Sequence, residues 1–296
     1  MKWRGLRRSQ NVEDRRGQGA PRRAGLRLPF GGGIGLILLL VLAWFLGGPE
    51  LVLNVLTGAD EPRTGDAEVA RPRGSPSPGA APAGASDEGR EFVAAVLGST
   101  EDVWGAIFAG NGSRYVPPTL VLFEDVVESA CGLGESATGP FYCPADRTLY
   151  IDLGFFRQLA SLGGPGDFAQ AYVIGHEVGH HVQTLVGRAD QVRVSQAAAI
   201  DQSTVNRLQV AMELQADCYA GVWAHHANLM QDHALLEPGD VEEGLAAAAA
   251  IGDDRLQRGA GRRVSPESFT HGSSAQRQRW LAIGLETGDP GSCDTF

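Results

Sequence analysis

Positive charge is scarce after residue 28. The first 28 residues hold nine Lys or Arg against Glu13 and Asp14, and the remainder carries 16 basic against 33 acidic groups, a net of −17. A folded part of that sign offers nothing to a phosphate backbone, so nucleic acid is excluded as a partner. Cysteine is sparse too: four in 296 residues, none in a C-x-x-C pair, which removes a structural zinc knuckle. The 57–90 region has few large apolar groups and much Pro, Gly, Ala and Ser, and such a composition cannot offset the entropy of ordering. Long uncharged runs are missing as well, with one exception.

That exception is Phe30 to Leu46, 17 residues without a charge. It meets the lower limit for crossing a bilayer, roughly 17–25 residues. The expected organisation is a basic cytoplasmic arm at 1–28, a transmembrane helix at 29–48 in contact with the lipid bilayer, a flexible linker at 49–87 and a folded domain at 88–296. The positive-inside rule then puts the domain outside the cytoplasm. A cleaved signal peptide is the competing reading, disfavoured by the long basic region and the lack of a nearby small-x-small cleavage site. Cys131, Cys143, Cys218 and Cys293 all follow the apolar run, as disulfides in an oxidising compartment would. Three connectivities are open; the expected one is Cys131–Cys143, a short local loop, with Cys218–Cys293 tying the tail to a helix.

Within the domain, apolar spacing predicts helices over 91–108, 167–186, 203–226, 241–258 and 274–285, with a break at Gly98-Ser99-Thr100. Thr119–Glu124 and Thr148–Leu153 read as strands, and 131–147 as a loop. The second strand precedes the 167–186 helix, as an edge strand that holds a peptide by strand addition would. The fold class is α+β, mostly helical with a small sheet.

Gly175-His176-Glu177-Val178-Gly179-His180-His181 carries the chemistry. His176 and His180 are four residues apart, so on a helix their imidazoles share one face and can reach one zinc ion, while Glu177 points to the side toward an attacking water. A buried helix with that many polar groups needs a partner for them, and a metal supplies one. His181 cannot face the same ion, which leaves it either supporting a ligand from behind or serving the fold. In the 203–226 helix, Glu213 and Asp217 repeat the one-turn spacing among apolar neighbours: Glu213 suits a third ligand, and Asp217 can accept the free N–H of a ligating histidine. His271 sits in a turn before the last helix, where it either stabilises an oxyanion or serves as an ordinary hydrogen-bonding histidine.

These motifs occur in a recognisable order. Met1-Lys-Trp-Arg-Gly5, Asn11 to Gly17, the apolar run, Gly139 to Pro144, His176 to Gln183, Glu213 to Trp223, Gly252 to Gln257 and Phe269 to Trp280 together resemble the bacterial putative neutral zinc metallopeptidase family. The resemblance implies a membrane-anchored, zincin-like domain of the gluzincin type hydrolysing peptide or protein substrates. Carried onto this chain, His176, His180 and Glu213 would bind zinc, Glu177 would be the base, Asp217 would support a ligand and His271 would face the oxyanion. The alternative is a membrane-tethered scaffold that holds a peptide without cleaving it, with zinc purely structural.

Overall fold

The computed structural model describes residues 1–17, 87–135, 139–230 and 234–296. The expected membrane span at 29–48 and all of the linker except Asp87 lie outside the described residues. The first helix, α1 (Glu88–Gly110), starts where the Asp87 carboxylate accepts the amide of Arg90 and where Glu88 and Glu91 face the positive end of the helix dipole. It does not break at Gly98 as expected. A Cβ at that glycine would lie 2.4 Å from the carbonyl oxygen of Arg7, so Gly98 serves to let another segment pass.

That segment is the chain's own beginning. Residues 1–17 belong to the same compact unit as the described residues from 87 onward. Strand β1 (Val12–Asp14) pairs in parallel with β2 (Thr119–Phe123), Val12 opposite Leu120. Arg7 reaches Glu101 and Asp102, Ser9 donates to Glu101 at 2.6 Å, and Trp3 meets Phe92 edge to face. Part of the arm expected beyond a membrane therefore helps to build the domain. The basic residues that looked like a cytoplasmic anchor, Arg4, Arg7 and Arg8, find carboxylates on α1 instead.

After β2 come a hairpin, β3 (Val126–Ser129) with β4 (Gly132–Glu135), then β5 (Phe141–Cys143) and β6 (Thr148–Asp152). The main sheet has the order β1-β2-β6-β5, parallel except for the antiparallel β5. This corrects two expectations. Residues 131–147 are not wholly loop, and the 148–152 strand is not at the edge: β6 is central and β5 occupies the border. The Cys131–Cys143 disulfide fastens the hairpin to β5.

Two short helices were not expected: α2 (Gly154–Ser161), after β6, and α4 (Arg188–Ala198), after the long α3 (Asp167–Leu185). Helix α5 (Gln202–Met230) begins where Asp201 accepts the amide of Thr204. The helix expected over 241–258 is two, α6 (Asp240–Ala250) and α7 (Asp253–Gly259), because Gly252 abuts the backbone of Ser274 at the start of α8 (Ser274–Thr287). A core of Trp104, Trp223, Phe168, Leu120, Leu149 and Ile151 joins α1, α3 and α5 to the sheet. Among the described residues one helix, α1, is long and apolar enough to cross a membrane; 67% of its apolar window is buried inside the domain.

Candidate metal centre

Helix α3 carries His176 and His180 on its buried side, their ring centroids 4.7 Å apart. Gly179 lies between them against α5, where a Cβ would come within 2.9 Å of the Ala216 carbonyl oxygen. The missing side chain lets the two helices touch, and that contact brings Glu213 to the histidines. Glu213 Oε2 is 3.2 Å from His176 Nε2, and its Oε1 is 3.6 Å from His180 Nε2. One atom from each of the three lies within 4.8 Å of the others, so His176, His180 and Glu213 could hold one metal ion.

The opposite ring nitrogens decide which way the protons lie. His176 Nδ1 is 2.8 Å from Asp217 Oδ1, and His180 Nδ1 is 2.9 Å from Gln183 Oε1. Both partners accept hydrogen bonds there, so each Nδ1 carries a proton and each Nε2 faces Glu213. A buried carboxylate facing two ring nitrogens calls for positive charge among them, as protons on the imidazoles or as a metal ion. The donor set of two imidazoles and one carboxylate, with a fourth side open to the cleft, is one that zinc accepts.

Asp217 is itself fully buried and triply held. Arg277 Nε donates to its Oδ2 at 2.9 Å, Arg277 Nη2 to its Oδ1 at 2.8 Å, and the Tyr172 hydroxyl to Oδ1 at 2.6 Å. Burial favours the neutral acid, yet Arg277 and then His176 hold Asp217 below the usual carboxylate range. Glu213 stays well below it despite its burial, through His180 and His176. Burial opposes a charge on His176, but Asp217 and Glu213 outweigh it and raise its pKa to about 10. The pocket thus prefers a positive charge, whether proton or metal.

Glu177, 7% exposed, lines the same cleft, and burial raises its pKa. The cleft, of about 580 Å³, runs from Pro140 and, on β5, Phe141 and Tyr142 past His176 and Glu177 to His271. The His271 side chain is half exposed on that wall. Its backbone is pinned by Asp253, whose Oδ2 accepts the amides of Thr270, His271 and Gly272 at 2.7, 2.7 and 3.0 Å. Asp253 thereby holds the turn that carries His271.

His181 faces away from the centre and is fully buried. Its Nε2–H donates to the Val116 carbonyl at 2.7 Å, and its Nδ1 accepts from the Tyr142 hydroxyl at 3.0 Å. It ties α3 to border strand β5, and desolvation lowers its pKa to about 4. Spacing on a single helix could not reveal Tyr172, Asp253 and Arg277, because their partners come from other elements; Gln183 is one turn from His180, but its amide is oriented by Met212 and Gln215 on α5. Three of them, Gln183, Asp253 and Arg277, stand inside the motifs that carried the family resemblance. The Cys218–Cys293 disulfide forms one helical turn beyond Leu214 and fastens the C-terminal segment to α5.

Relatives match all or about two thirds of this chain. The uncharacterized protein YpfJ of Escherichia coli (strain K12) is 47% identical over 300 residues, covering 100% of this chain and 99% of its own. The uncharacterized protein Rv2575 of Mycobacterium tuberculosis (strain ATCC 25618 / H37Rv) is 44% identical over 215 residues, 69% of each chain. No solved structure matches the chain. The model of the family described as "Putative neutral zinc metallopeptidase" matches residues 1–296 throughout, and the chain belongs to that family.

Proposed function

We propose that this chain is a zinc-dependent peptidase of the gluzincin type, with a zincin-like domain acting on peptide or protein substrates. The convergence of His176 Nε2, His180 Nε2 and the Glu213 carboxylate, with both Nδ1 protons engaged elsewhere, carries the reading. A bound zinc ion would supply Lewis acidity, polarising the scissile carbonyl and acidifying water. Glu177 takes the proton from the attacking water and passes it to the leaving amine; a carboxylate raised by burial is suited to accept and then release it. His271, on the cleft wall, donates to the oxyanion that develops on the substrate. Among the described residues β5 pairs with β6 on one side only, so its other side is the natural place for an extended substrate backbone. Phe141 and Tyr142, which belong to β5, line the cleft at that point.

Replacing Glu177 by Gln tests the mechanism: metal content should match wild type while peptide hydrolysis falls by at least about a thousandfold. Hydrolysis that survives in Glu177→Gln rules out this assignment of the base.

The two disulfides support an oxidising compartment. We read the uncharged run at 30–46 as the contact with a lipid bilayer. From the pairing of β1 with β2 we infer that residues 1–17 lie on the same side of that bilayer as the domain, in place of the split expected from the positive-inside rule. Lys2, the only lysine in the chain, is exposed. A membrane-impermeant amine reagent applied to intact cells should label it, and labelling only after lysis would return the N-terminal segment to the cytoplasm.

A further inference from the structure

Gln183 lies on α3 one turn beyond His180, is fully buried and plays no part in the mechanism above. Its amide has one possible orientation. The nitrogen Nε2 is 2.8 Å from the Met212 carbonyl oxygen and 3.1 Å from Gln215 Oε1, and both of these only accept. Nε2 therefore donates to α5, and Oε1 is left to accept from His180 Nδ1 at 2.9 Å. Gln215, 3% exposed, is fixed in the same way, because its own Nε2 donates to the Cys293 carbonyl at 2.9 Å. The direction of every bond in the row is set by two backbone carbonyls, which can never turn into donors. A disulfide from Cys218, three residues past Gln215 on the same helix, holds the second of those carbonyls in place.

We propose that Gln183 is a positioning residue for His180: the row from the Cys293 carbonyl through Gln215 and Gln183 forces the proton of His180 onto Nδ1, leaving Nε2 free for the metal. The Cys218–Cys293 disulfide anchors the far end of that row. His180 thereby answers to the redox state of a bond near the C-terminus, with no residue of the row touching substrate. The proposal rests on the reading of His180 as a zinc ligand. An imidazole bound through Nε2 needs its other nitrogen oriented by an acceptor, and losing such a partner typically weakens metal affinity 10–100-fold.

The test uses the full chain. Zinc affinity is measured by competition with a chromophoric chelator for wild type, Gln183→Met, Gln215→Met and the double variant Cys218→Ala/Cys293→Ala. The expected losses are about 10–100-fold for Gln183→Met and about 3–10-fold for the other two. In parallel, nitrogen-15 imidazole spectra of the metal-free wild type should show His180 protonated at Nδ1, and those of Gln183→Met a mixture of tautomers. Affinity within twofold of wild type in a folded Gln183→Met protein overturns the proposal. So does a wild-type His180 protonated at Nε2 with Nδ1 bare, a measurement that stands even if the variants fail to fold. A wild type that binds no zinc would instead sink the functional reading, and the tautomer spectra would still judge the row of amides.

Discussion

The two histidines of the candidate centre are held by opposite means. Behind His176 stand charges: Asp217, with Arg277 and the Tyr172 hydroxyl closing around it. Behind His180 stand neutral amides ending on backbone carbonyls. Both arrangements hold the Nδ1 proton, but they fail differently. Removing one member of a buried ion pair leaves the other charge unpaired, at about 3–5 kcal/mol, whereas an unsatisfied buried amide costs about 1–3 kcal/mol. The charged side also gives the pocket its electrostatic character. The amide side sets geometry alone.

Arg277→Leu attacks the charged side and should have the largest effect. Asp217 is then buried without its main counter-charge, and chemical denaturation of the metal-free protein should show a loss of about 3–5 kcal/mol, larger than for Gln183→Met. Equal losses would erase the distinction between the two supports.

His181, third in the row, sharpens the comparison because it is held by a phenol and a carbonyl with no charge. Its folded pKa of about 4 lies below the ordinary 6.5, so the folded state resists the protonation that the unfolded chain accepts. That contribution is complete above pH 6.5 and is lost as pH falls from there toward 4, up to about 3 kcal/mol. Denaturation midpoints measured from pH 7 to pH 4 should fall more steeply in wild type than in His181→Gln, which lacks the titration. Parallel slopes would show that other groups govern the acid limb.

The smallest expected effect concerns the turn at 270–272. Asp253→Asn keeps a carbonyl oxygen for the three amides but removes the charge, which should cost about 1 kcal/mol in stability. It should also lower kcat with little change in KM, since His271 is displaced and the cleft is not. A change confined to KM would place the turn in substrate binding.

How much of this could be read from the sequence follows from distance along the chain. His176, Glu177, His180, Glu213 and Asp217 were legible because helical periodicity fixes which residues share a face, and each group lies within one helix. Strand β5 was not, since three residues between Pro140 and Pro144 carry too little alternation to separate from a loop. The break at Gly252 was invisible because its cause is Ser274, on another helix. Arg277 stands in a polar run, Gln276 to Arg279, and only packing shows it 2% exposed beside Asp217. The basic segment before the apolar run misled for a similar reason. Charge composition is a local signal, while the partner strand of Val12–Asp14 begins more than a hundred residues later.

That separation has a consequence in time. A ribosome adding about 5–20 residues per second places Val12–Asp14 outside roughly ten seconds or so before β2 has been made, and the uncharged run at 30–46 emerges in the interval. Any engagement of that run with a membrane therefore begins while β1 has nothing to pair with. Closing the sheet is a late, long-range event, so the strand made first is placed among the last.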